Sequence, residues 1–123
     1  MKARLAAIAL MTLATTSPAA AQPSTQIITL DSYRFSPEPI HLKAGQPVTL
    51  NFINRSGKGH DFTARSFFAN SRITGGSAPD GEIELKGHQS KTVTLVPRAG
   101  TYGVHCSHFL HSSFGMKAQI IVD

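Results

Sequence analysis

The chain has 123 residues, 12 Lys and Arg against 7 Asp and Glu, a formal net charge of +5, and 41% apolar residues. That is material for one domain with a single hydrophobic core. Basic residues are scattered without a cluster from Arg34 to Lys117, which argues against nucleic acid as a partner but leaves a mild positive field able to steer an acidic one.

In chain order, Lys2 and Arg4 form a basic start, and Leu5 to Ala14 is apolar. That run is shorter than the roughly 20 residues a bilayer span needs. Ala19-Ala20-Ala21 is a small-residue cleavage site. The pattern is that of a signal peptide over 1–21, leaving 22–123 as an exported, periplasmic domain. An uncleaved amphipathic anchor fits less well, because the stretch carries no charge after Arg4. No later apolar run is long enough to span, so a soluble monomer with no membrane span is expected.

Gln26 to Asp31 is a strand-length run of β-branched and apolar residues. Two prolines, Pro37 and Pro39, break it, and Ile40 to Lys43 forms a short strand ended by Ala44-Gly45. Gln46 to Asn54 alternates, with Val48, Leu50 and Phe52 on one face, the period of a half-buried strand. Asn54 to Gly59 is turn-rich, and His60 to Thr63 follows as a strand edge. Ser66 to Ala69 can start a helical turn, and Thr74 to Gly81 is loop by composition. Glu82 to Leu85, Lys91 to Val96, Thr101 to Cys106 and Lys117 to Val122 complete the strands. About eight short strands separated by Gly/Pro turns predict an all-β Greek-key sandwich or barrel.

The chemistry concentrates in Tyr102 to Met116, YGVHCSHFLHSSFGM. Cys106 is the only cysteine. An exported protein meets an oxidising compartment where cysteines pair, and one cysteine cannot pair within its chain. It is then an intermolecular bridge, an inert buried thiol, or a thiol kept for chemistry. His105, His108 and His111 within five residues favour the third. A thiolate, neutral imidazoles and the thioether of Met116 form a ligand set that favours copper, and His₂Cys with a weak axial Met is the arrangement of mononuclear electron-transfer sites. Alternation puts Tyr102, Val104 and Cys106 on one strand face and turns His105 the other way. The fourth ligand must come from another strand. His60 is the best placed, since His41 lies between inward Ile40 and Leu42, and His88 sits in a turn.

From FSPEPIHLKAGQPVTLNFIN through HDF to GTYGVHC and GMKAQIIV, the chain resembles the cupredoxin family of plastocyanin, azurin, pseudoazurin and rusticyanin. The resemblance implies one copper ion held by His60, Cys106, His111 and Met116, with a Cys-to-His-to-Met spacing like that of rusticyanin-type loops. It implies a one-electron carrier meeting redox partner proteins, not an enzyme. Three features depart from the family. Asp61 stands where plastocyanin and azurin have an asparagine that ties the two ligand segments together, and its charge would favour Cu(II). No proline lies between Cys106 and His111, leaving a backbone N–H free near the sulfur. His105 and His108 are extra.

The rival reading is a copper-binding or delivery protein for homeostasis or resistance, with His105 and His108 as a secondary capture site. Phe109, Leu110 and Phe114 flank His111 as ordinary packing or as an apolar docking rim. A Cys–His nucleophile would leave Met116 unexplained and lacks a visible oxyanion site. Structural zinc sites use four Cys/His ligands without methionine.

Overall fold

The computed structural model describes residues 2–17 and 22–123. The Ala19–Ala21 cleavage site expected from the sequence lies outside them. Residues 2–17 are exposed and carry no helix or strand. Among the described residues no helix is long and apolar enough to cross a membrane.

Among the described residues, ten strands form two five-stranded sheets. They are β1 (Ser24–Asp31), β2 (Arg34–Ser36), β3 (Ile40–Leu42), β4 (Val48–Asn54), β5 (His60–Thr63), β6 (Arg72–Gly75), β7 (Glu82–Leu85), β8 (Ser90–Val96), β9 (Gly100–His105) and β10 (Lys117–Val122). A short helix, α1 (Arg65–Ala69), lies between β5 and β6. One sheet runs β2-β1-β4-β8-β6 and the other β3-β10-β9-β5-β7. Chain neighbours repeatedly fall in different sheets, and β1·β4 and β3·β10 are parallel pairs. The chain therefore crosses between layers instead of folding as successive hairpins, as a Greek-key sandwich does.

Alternation explains most of the burial. Val48, Leu50 and Phe52 are buried while Thr49, Asn51 and Ile53 are half-buried, and on β10 Ala118, Ile120 and Val122 face inward. Phe62 sits at the centre of an aromatic cluster, with ring centroids 4.8 Å from Phe52, 5.5 Å from Phe35 and 6.1 Å from Phe68. Burying such rings contributes roughly 1.5–3 kcal/mol each.

The sequence pattern predicts about eight strands, and the described residues form ten. Arg72–Gly75, partly read as loop, pairs with β8 across a bulge at Ile73/Gly75. Glycines depress strand propensity locally, but a neighbouring strand with free hydrogen-bonding groups recruits the segment. The His60–Thr63 strand is not an edge. It lies between β7 and β9 with all four residues buried.

Candidate metal centre

Two segments far apart in the chain meet where β5 lies beside β9. His60 opens β5 and is fully buried. The turn before it is fastened by the buried Asn54. Its Nδ2 donates to the Lys58 carbonyl (2.7 Å) and the Lys86 carbonyl (3.0 Å). Its Oδ1 accepts from the Ser56 N–H (3.0 Å) and hydroxyl (2.9 Å). One satisfied amide thus fixes the path that delivers His60.

The second segment joins β9 to β10. The Cys106 N–H donates to the Met116 carbonyl, the Met116 N–H to the His111 carbonyl and the His111 N–H to the His108 carbonyl, each at 3.1 Å. A 3-10 turn, Ser112–Phe114, ends at Gly115 with φ +92°. That left-handed conformation strains a side-chain-bearing residue, so glycine suits the point where the loop turns into Met116.

Three donor atoms converge. His60 Nδ1 lies 3.1 Å from His111 Nδ1, and Cys106 Sγ lies 3.4 Å from His111 Nδ1 and 3.9 Å from His60 Nδ1. A point equidistant from all three is about 2.0 Å from each, within the bonding range of a first-row ion to nitrogen and sulfur. Met116 is fully buried at the loop's end. His60 Nε2 is 2.9 Å from Ser32 Oγ. With the ring proton on Nε2 and donated to Ser32, the Nδ1 lone pair faces the triangle. Two imidazoles and a thiol, with a buried thioether at the loop's end, are the donor types of a single type 1 copper site.

The sequence profile of the cupredoxin-like domain matches residues 3–122. The chain belongs to the cupredoxin-like family. Comparison with curated proteins gives no significant match. Solved structures of the same fold include auracyanin A, a "blue" copper protein from Chloroflexus aurantiacus, at TM-score 0.61 and 21% identity, covering 83% of this chain and 100% of that one. Reduced auracyanin from Roseiflexus castenholzii superposes at 0.60 with 19% identity over 84% and 98% of the two chains. A multicopper oxidase from Campylobacter jejuni reaches 0.65 at 12% identity, with 89% of this chain matching 32% of that one.

In this cupredoxin the sulfur is buried and faces amide protons. Burial pushes the Cys106 thiol above its usual pKa, opposed by the backbone N–H groups of Asp61 and His108. The Asp61 N–H lies 3.5 Å from Sγ. The His108 amide is the donor left free by the absence of proline. Burial also holds His60 and His111 below the usual imidazole range, helped for His60 by His111, His108 and Lys58 and for His111 by His108 and Lys58. Both are therefore neutral donors near pH 7, as metal ligation requires.

Asp61 is 1% exposed. Its Oδ1 accepts from the Ser107 N–H (2.8 Å) and the Thr63 hydroxyl (2.8 Å), and Oδ2 accepts from the Ser107 hydroxyl. The carboxylate thus fastens β5 to the residue after Cys106.

The two extra histidines are not neighbours in one site, contrary to the capture pair considered from the sequence. His105 turns outward on β9, with Glu38 and Lys117 around it. His108 folds back against Glu84, Nε2 to Oε1 2.8 Å. It does not join the donor triangle, which holds His60, Cys106 and His111. β9 ends at His105, so the loop that follows carries His108 away from a residue that sequence distance alone would group with it.

Phe109, Leu110 and Phe114 are exposed around His111. Tyr33, not singled out from the sequence, packs its ring 4.9 Å from His111 and 5.0 Å from Phe114. Neither Ser32 nor Tyr33 carries a local signal, since their partners lie far along the chain.

Proposed function

We propose that this cupredoxin is an exported one-electron carrier, with residues 1–21 as a cleaved leader and 22–123 as a periplasmic, monomeric copper domain. The ligands are His60, Cys106, His111 and Met116. The convergence of two imidazole Nδ1 atoms and one thiol on a point about 2.0 Å from each carries this assignment. The "blue" copper description of auracyanin A supports it.

Bound there, copper supplies a one-electron Cu(II)/Cu(I) couple. The chain holds its donors in one arrangement through Asn54, Asp61 and the loop's backbone hydrogen bonds, so little rearrangement accompanies transfer. The half-buried His111 edge, ringed by Phe109, Leu110 and Phe114, is the contact for redox partner proteins. One-electron transfer makes and breaks no covalent bond, so in this reading the protein is a carrier and not an enzyme.

Cu(II) added to the apoprotein should give an intense visible thiolate-to-copper band that Cys106→Ala abolishes. A colourless wild type, or colour surviving in Cys106→Ala, would sink the assignment. A role in copper delivery is the second reading, favoured by the His108–Glu84 pair beside the centre. A carrier cycles reversibly at an electrode and keeps its copper, whereas a delivery protein releases Cu(I) to an acceptor.

A further inference from the structure

Asp61 and Glu84 are direct partners across the antiparallel β5·β7 pair. Like charges directly opposite on a sheet are destabilising. Here Asp61 is buried, and its hydrogen bonds from Thr63 and Ser107 offset the desolvation of the carboxylate without supplying a countercharge. Among the described residues the only cation-forming side chain within 4.0 Å of either is His108, whose Nε2 is 2.8 Å from Glu84 Oε1 and 3.8 Å from Asp61 Oδ2. Room for that ring comes from Gly59, where a Cβ would stand 3.3 Å from His108 Cε1. One imidazole and two carboxylates therefore offer atoms within 4.8 Å of one another.

We propose that Asp61, Glu84 and His108 form an outer cation site that takes an incoming Cu(II) ion and passes it to the buried centre. The donor set lacks thiolate and thioether, so it suits Cu(II) and Zn(II) and is poor for Cu(I). The place suits loading. The His108 ring lies 5.4 Å from that of His111 and 6.4 Å from that of His60, and 30% of its side chain is exposed. An ion between the carboxylates also removes the cross-strand repulsion. His105, on the other side of β9, has no part in it. The site goes beyond the electron-transfer assignment and rests on that assignment only for the destination of the ion.

Two measurements on the full mature chain test it. In protein already loaded with one copper, calorimetry should show Zn(II) binding as a second equivalent, lost in His108→Ala and in Glu84→Gln and kept in His105→Ala. In apoprotein at limiting Cu(II), stopped-flow growth of the visible band should slow by about tenfold or more in the first two variants, because a charged cleft raises local ion concentration. Its final amplitude should stay unchanged, which shows that the fold and the buried centre are intact. No second Zn(II) equivalent in the wild type, equal binding in His108→Ala, or equal loading rates would overturn the proposal. A colourless wild type that still binds Zn(II) through His108 would support the outer cation site and remove the electron-carrier assignment instead.

Discussion

At the scale of single residues, Asp61 and Cys106 set the character of the centre. Asp61→Asn keeps an acceptor for the Ser107 N–H and removes a buried negative charge beside the sulfur. Its reduction potential should rise, measured by voltammetry of the copper-loaded protein; an unchanged or lower potential would mean that the carboxylate charge is not felt at the metal. Asp61→Ala leaves the Ser107 and Thr63 donors unpaired and should cost about 1–3 kcal/mol. The apoprotein's pH profile follows from burial. His60 and His111 are held below 6.5, their ordinary value, so the unfolded chain binds protons on them first as pH falls. Stability should decline from about pH 6.5 downward. Cys106 is held above its ordinary 9.0, so the unfolded thiol ionises first as pH rises, and stability should fall again above about pH 9. Urea midpoints of apoprotein at pH 5, 7.5 and 10 check both arms, and a flat profile contradicts them.

At the scale of elements, β5 and the loop from Cys106 to Met116 do the positioning. β5 is buried on both faces because Phe62 enters the aromatic core while Asp61 and Thr63 bond inward. Gly115 lets the loop close with its backbone at φ +92°. Gly115→Ala should lower stability by about 1–2 kcal/mol through left-handed strain, although a Cβ there meets nothing within 4 Å. Equal stability of variant and wild type in chemical denaturation would show that the loop relaxes freely. These elements were unequally legible. β4 and β10 alternate in the sequence as they do in space. β6 was hidden by Gly75 and Gly76, since its strand character comes from pairing with β8 and not from its own residues.

At the scale of the molecule, the copper ion would tie β5 to the loop between β9 and β10, because His60 opens β5 while the other proposed ligands, Cys106, His111 and Met116, lie between those two strands. Such an ion binds the native chain and not the unfolded one. At free copper about 1,000 times its dissociation constant it should add about 4 kcal/mol. Calorimetric melting should show Tm falling by more than about 15 °C when a chelator strips the metal. Coincident transitions with and without copper would mean that the four side chains do not share one ion.

By itself the sequence determined the all-β class, through period-two alternation, and pointed to candidate donors, through the rarity of Cys106 and the resemblance that sets it beside His60, His111 and Met116. The alternation and the Cys106 to Met116 stretch are local signals, carried by residues close together along the chain. Tertiary structure alone decided which nitrogens face the sulfur, that Ser32 orients His60, that Asp61 fastens one ligand segment to the other, and that His108 sits against Glu84 while His105 turns away. The reason is physical: these contacts join segments far apart along the chain, and only the packing of the two sheets, with β5 paired to β7 and β9, brings them within bonding distance.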